Sequence, residues 1–253
     1  LLRLLDALAF SGIWVASAAA ALAVAASLAF GDARPLLAPL LAFSGTFAIY
    51  SLDRLRDSDH DGASAPQRTA FVVRHRRSLV ACAALAAIAA AGSALAIGPD
   101  AIAIALAAGI VGVLHRRLKR LTGFKPGYIT AIWLLTVVGL PAAVTGATPG
   151  SILWACALIG PALLSNAIAF TARDREGASV WIGERRALML ARIYATIGAL
   201  LGFLAPGALA PLALVPLATL PALAAWRRGE RSALLLVDGA LIAGALAACV
   251  PLR

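Results

Sequence analysis

Blocks of about twenty predominantly apolar residues, set almost end to end with short polar breaks, limit most what this chain can fold into. A block of that length crosses the hydrocarbon core of a bilayer as a helix. In lipid, every backbone N–H and C=O has to be satisfied within the segment itself. The apolar residues do not alternate at every second position, which argues against a transmembrane β-barrel. Of the 253 residues, 62% are apolar and 13% are charged. A soluble domain usually carries about 25% charged residues, so an ordinary cytosolic globule is excluded. Disorder is excluded too, because it needs low hydrophobicity. The expectation is an all-α polytopic membrane protein, with residues 1–253 forming a single transmembrane domain.

Spans are predicted near residues 8–30, 36–56, 79–98, 101–115, 128–146, 150–172, 186–206, 207–226 and 232–250, a bundle of nine transmembrane helices. Gly98-Pro99-Asp100 and Ala205-Pro206-Gly207 separate neighbouring spans, as residues that end helices do. The first block shows no clear signal-peptide cleavage site among its alanines. With nine spans, all 22 Lys and Arg residues except Arg34 and Arg253 fall on one side. By the positive-inside rule that side is cytoplasmic. The N-terminus is then cytoplasmic and the C-terminus outside, in an integral protein of the bacterial inner (plasma) membrane. A formal charge of +10 on a soluble chain would suggest nucleic acid. Here it reads as basic loops against anionic membrane lipids, with no nucleic-acid partner. Cys82, Cys156 and Cys249 lie inside apolar blocks, at spacings that fit no metal or redox motif.

The acidic residues are few and clustered. Asp53, Asp57, Asp59 and Asp61 stand at the cytoplasmic end of the second span, and Asp174 and Glu176 follow the sixth. Asp53, Asp57 and Asp61 are spaced i, i+4, i+8, which stacks them on one face of a helix. Three stacked carboxylates repel unless a cation neutralises them. Magnesium suits them, since it takes oxygen ligands from one or two carboxylates and from substrate phosphates. Asn166 lies eight residues before Asp174, so both can face one cavity. Arg68 and the basic stretch after the fourth span add cations. Acidic clusters beside isolated cations suggest a metal–diphosphate site.

These residues resemble the UbiA superfamily of intramembrane prenyltransferases, over nearly the whole chain in span count, orientation and motif position. The first motif of that superfamily, NDxxDxxxD, corresponds to residues 53–61. Its last two aspartates match Asp57 and Asp61, its asparagine matches Asp53, and its first aspartate is Arg54. Arg68 fits the arginine that commonly follows. The YxxxK element matches His115 to Lys119, with histidine in place of tyrosine. The second motif, DxxxD, matches Asp174 to Ala178, with the last acid absent and Glu176 nearby.

The resemblance implies a helical bundle around a central cavity. It implies Mg2+-dependent transfer of an isoprenyl chain from a prenyl diphosphate to a lipophilic, aromatic acceptor. Asp53, Asp57, Asp61, Asp174 and Glu176 would be metal ligands, with Asp57, Asp61 and Asp174 catalytic. Arg68, Lys119 and Asn166 would bind the diphosphate. Arg54→Asp, which restores a motif acid, is expected to strengthen magnesium binding. The departures at Arg54, Thr171 and Ala178 leave two alternatives: a terpene cyclase, or a non-catalytic relative that binds a lipid or pigment or scaffolds a membrane complex. A transporter fits less well, because the acids gather at one membrane face and not at mid-bilayer. Asp238, in the ninth span, is the exception, and a hydrogen-bonded pair is expected there.

Overall fold

The computed structural model describes residues 2–57, 65–118, 124–174, 179–227 and 229–250, and these are helical with no strand among them. The chain opens on α1 (Leu2–Ser11) and α2 (Ile13–Ala29), bent by 66° at Gly12. Gly12 holds φ at +94°, a conformation that strains any side chain with a Cβ. Then come α3 (Leu37–Asp57), α4 (Pro66–Arg74), α5 (Arg76–Ile97) and α6 (Pro99–Leu118). The second half holds α7 (Lys125–Thr145), α8 (Pro149–Asp174), the one-turn α9 (Ser179–Ile182), α10 (Glu184–Leu201), α11 (Ala210–Ala224) and α12 (Glu230–Ala248). Two of these helices widen by a π-turn, α7 at Leu135–Gly139 and α12 at Leu234–Asp238.

Each predicted span falls on a helix, yet nine membrane crossings are not established. Four segments are long and apolar enough alone: Arg76–Ile97, Lys125–Thr145, Pro149–Asp174 and Glu230–Ala248. The bent α1–α2 pair adds a fifth. The reason lies in the other helices. α3 ends in Asp53, Arg54, Arg56 and Asp57, and α10 carries Glu184, Arg185, Arg186 and Arg192. The apolar stretches Pro99–His115 and Ala210–Ala224 fall in the 10–17-residue range, short of the roughly 20 residues a span needs.

The core is built around α2, where Ala16, Ala18, Ala19, Leu22, Ala23 and Ala26 are fully buried. It packs on α3, on α12 and on the π-turn of α7. Alanine suits this place because small side chains let helix backbones approach closely. On the outside, Leu85, Ile88 and Leu95 of α5 and Leu106 and Ile110 of α6 are exposed. Large exposed apolar side chains of that kind suit lipid.

Candidate active site

One end of the bundle gathers the C-terminal ends of α3, α6 and α8 and the N-terminal ends of α4, α7 and α12 around a cavity of about 410 Å³. Its deeper wall is apolar, with Val15, Ala19, Leu41, Ile104, Val137 and Leu140. Its polar end carries Asp53, Arg54, Arg68, His115, Lys125, Arg173 and Asp174, and the Asn166–Asp238 pair. The aromatic rings of Tyr50, Tyr128, Trp133 and Phe170 stand along the same wall.

The polar groups are held by local chemistry. Arg54 is buried and donates from Nη1 to the carbonyls of Phe10 (2.6 Å) and Ala9 (3.4 Å). The break at Gly12 orphans those carbonyls at the end of α1, and the guanidinium caps them. Glu230, at the start of α12, accepts from the backbone N–H of Arg68 (3.1 Å) and of Gln67 (3.4 Å). That carboxylate caps the first turn of α4, where it also meets the positive end of the helix dipole. Arg68 is thereby tied to the rim. His115 Nδ1 lies 3.0 Å from the Tyr128 hydroxyl, the rings meeting edge-on. A tyrosine hydroxyl thus reaches His115 from α7, whereas the YxxxK pattern would have placed it on α6.

Arg173 is the best-placed cation. Its side chain is 7% exposed, and Nε and Nη2 both lie 2.7 Å from Asp174 Oδ1. The guanidinium carbon stands 5.1 Å from the centre of the Phe170 ring. Nη1 is buried and has no hydrogen-bond partner among the described residues. Deeper in the cavity, Asn166 Nδ2 donates to Asp238 Oδ1 at 2.9 Å. Asp238 is 2% exposed. It sits on the π-turn of α12, a distortion that often accompanies function.

Of the residues predicted from sequence, Asp53, Arg68, Asn166 and Asp174 line this one cavity. Asp57 is buried at the end of α3 and is not among the lining residues. Asp61, Lys119 and Glu176 lie outside the described residues. Five of the polar-end groups were not in the predicted set: Arg54, His115, Lys125, Arg173 and Asp238. Arg173 follows Ala172 directly before the second acidic cluster, and Asp238 is a lone acid in an apolar span. Both signals were present, and only the partners were missing.

Among the described residues, no three His, Cys, Asp or Glu side chains converge as a metal site. Asp53 and Asp174 nonetheless share the cavity from opposite helices. Two carboxylates, completed by phosphate oxygens and water, are a donor set that magnesium accepts.

No protein-family model and no curated protein matches the chain. Among solved structures, the apo structure of a UbiA homolog from Aeropyrum pernix K1 superposes with a TM-score of 0.65 at 18% identity. The match covers 92% of this chain and 98% of that one. At that identity the likeness is one of fold, and this chain has the fold of a UbiA homolog.

Proposed function

We propose that the protein is an intramembrane prenyltransferase, moving an isoprenyl chain from a prenyl diphosphate to a lipophilic, aromatic acceptor. The observation that carries this reading is the polarity of this cavity. Cations and carboxylates stand at one end and an apolar, aromatic-lined wall at the other. A molecule with a doubly phosphorylated head and a hydrocarbon tail matches both ends.

Arg173, Arg68 and Lys125 bind the phosphoryl oxygens. Arg173 is preorganised for this by Asp174, which fixes two of its nitrogens and leaves Nη1 for a ligand. A buried donor left unpaired costs about 1–3 kcal/mol, more when charged, and an incoming phosphoryl oxygen removes that cost. Asp53 and Asp174 would hold Mg2+, and the motif acids Asp61 and Glu176 are proposed to join them. A metal bound there would offset the charge that develops on the leaving diphosphate. The C1–O bond breaks with its electron pair leaving on the diphosphate. The apolar wall keeps water from the allylic cation that remains. The faces of Tyr50, Trp133 and Phe170 stabilise it until the acceptor attacks.

The test is thermal unfolding of the purified chain with geranylgeranyl diphosphate, with and without magnesium. A ligand that binds only the folded state raises the melting temperature, by about 2.7 kcal/mol of stability at a hundred times its Kd. The expected result is a rise that is larger with magnesium, with the magnesium-dependent part lost in Asp174→Ala. No rise at any concentration would overturn the reading. It would favour the second one, a non-catalytic lipid-binding relative, for which the engagement of Asp174 by Arg173 and of Arg54 by the end of α1 already speaks.

A further inference from the structure

Arg192 stands on the exposed face of α10, away from the central cavity, with no carboxylate partner among the described residues. Its one hydrogen bond among those residues runs from Nη2 to the Leu223 carbonyl at 3.0 Å. Leu223 lies in the last turn of α11, where carbonyls have no partner within the helix, so the guanidinium caps that end. A cap uses one nitrogen. Nε and Nη1 are left over, in a planar fork that suits phosphate oxygens. The same contact fixes where the charge stands: at the end of α11, whose Leu223 comes four residues before the exposed Arg227.

The rest of the face says what the fork receives. Arg185, Met189, Arg192, Thr196 and Leu200 follow one another at i, i+4, i+7, i+11 and i+15, and all are exposed, so they form one stripe down α10. The two cations stand toward its N-terminal end. Beyond Arg192 the stripe and its flank, with Ile193, Ile197 and Leu200 exposed, are apolar. The Thr196 hydroxyl is turned back to the Arg192 carbonyl at 2.9 Å. At the cationic end Trp181 is exposed, four residues before Arg185. Tryptophan gathers at the headgroup level of a bilayer. An aromatic anchor, then cations, then an apolar face is the order of groups that a phospholipid meets along its own length. The chain does not supply the counter-charge from the same helix: Glu184 lies eight residues from Arg192, about 12 Å along the axis. An arginine held at the edge of the hydrocarbon without such a partner attracts an anionic lipid.

We propose that the face formed by α10 and the end of α11 is a binding site for an anionic phospholipid. Arg192 and Arg227 hold its phosphate, Arg185 adds charge on the headgroup side, and an acyl chain lies over Thr196 and Leu200. Capping alone explains the Leu223 contact, but not a second arginine on the same stripe or the apolar run below both. None of the three arginines lines the central cavity, so the proposal stands independently of the reaction carried out there.

The test is native mass spectrometry of the full chain in detergent, titrated with dioleoylphosphatidylglycerol, dioleoylphosphatidylcholine or glycerol 3-phosphate. The expected result is that phosphatidylglycerol binds at least about tenfold more tightly than phosphatidylcholine, and that glycerol 3-phosphate alone is not retained. Arg192→Gln removes the charge and keeps a donor for the Leu223 carbonyl. It should weaken phosphatidylglycerol binding about fivefold and leave phosphatidylcholine binding unchanged. Arg185→Gln gives up no hydrogen bond to the described residues, so it tests the stripe even if Arg192→Gln fails to fold, and it should weaken binding by a similar factor. Arg76→Gln, exposed at the start of α5 and off this stripe, should bind as wild type does. Equal binding of the two lipids overturns the proposal. So does wild-type affinity in whichever of the two stripe variants fold, and so does an equal loss in Arg76→Gln, the behaviour of a diffuse positive field. Glycerol 3-phosphate held as tightly as the lipid would make this a free-phosphate site and overturn it as well.

Discussion

Arg54 shows how one residue can look different from the sequence and from the fold. In the motif register it occupies an acid's place, and restoring the acid is expected to improve metal binding. In the structure its guanidinium closes the end of α1 through the Phe10 and Ala9 carbonyls. Arg54→Asp would set a carboxylate against those carbonyl oxygens and leave them unpaired. The expected outcome is a loss of at least about 2 kcal/mol, read as a lower melting temperature or denaturation midpoint. Arg54→Lys, which keeps a donor, should recover part of it. Unchanged melting in Arg54→Asp would mean that the cap carries no stability. Asp53 and Asp174 were legible as members of acidic clusters at one membrane face, Arg68 through its place after the first motif, and Asn166 as an amide in an apolar span, which has few innocent explanations. Arg173 was not, because its value comes from two nitrogens tied to Asp174 and a third left unpaired, which is a matter of geometry.

At the scale of elements, helix ends and helix contacts divide between local and non-local causes. Gly98, with Pro99 after it, ends α5 at a positive φ, and the boundary was readable from those two residues. The end of α10 was not. The predicted span runs to residue 206, but the helix stops at Leu201 and a short turn leads into α11. Gly202 caps the helix directly after Leu201, but one glycine inside an apolar run is a weak stop signal beside the Pro206-Gly207 pair that the predicted boundary follows. α10 is instead placed by its packing on α8 and α11, where a Cβ on Gly198 would come within 3.0 Å of Pro161 and Pro216. A helix contact closed by backbone lies at Gly244 of α12, where an added Cβ would lie 2.6 Å from Val215 Cα and 2.7 Å from the Leu214 carbonyl oxygen of α11. Backbone cannot step aside as a side chain can. Gly244→Ala is therefore expected to cost about 1–3 kcal/mol, the usual cost of overpacking. Gly109→Ala, which meets nothing within 4 Å, is the control and should melt near wild type. Equal melting of the two variants would mean that α11 and α12 are free to separate.

For the whole molecule, the asymmetric distribution of Lys and Arg sets an expected orientation in the membrane. The polar rim of the cavity lies at the end of the bundle that holds Arg68 and Lys125, on the basic side of the sequence-based topology. In a chain cleared of its three cysteines, Arg76→Cys should be labelled by a membrane-impermeant thiol reagent only after the cells are opened. Arg34→Cys should be labelled in intact cells. Both sites are exposed on the protein, so burial does not confuse the result. The reverse pattern would place the cavity mouth outside and remove the positive-inside argument.

The sequence alone determined the fold class, the approximate position of the long apolar helices, though not of α4 and α9 or of the break at Gly12, and the end of the bundle where the polar chemistry collects. Those properties follow from local terms: the length of apolar blocks against bilayer thickness, the helix-ending chemistry of proline and glycine, and the cost of charge in lipid. Tertiary structure alone decided which polar residues meet. Arg54 reaches back to Phe10, Asn166 pairs with Asp238 across 72 positions, and Glu230 caps a helix that begins at Pro66. Such contacts depend on how helices cross and rotate about one another, which is set by small residues spread over the whole bundle and not by the few polar residues that the crossing brings together.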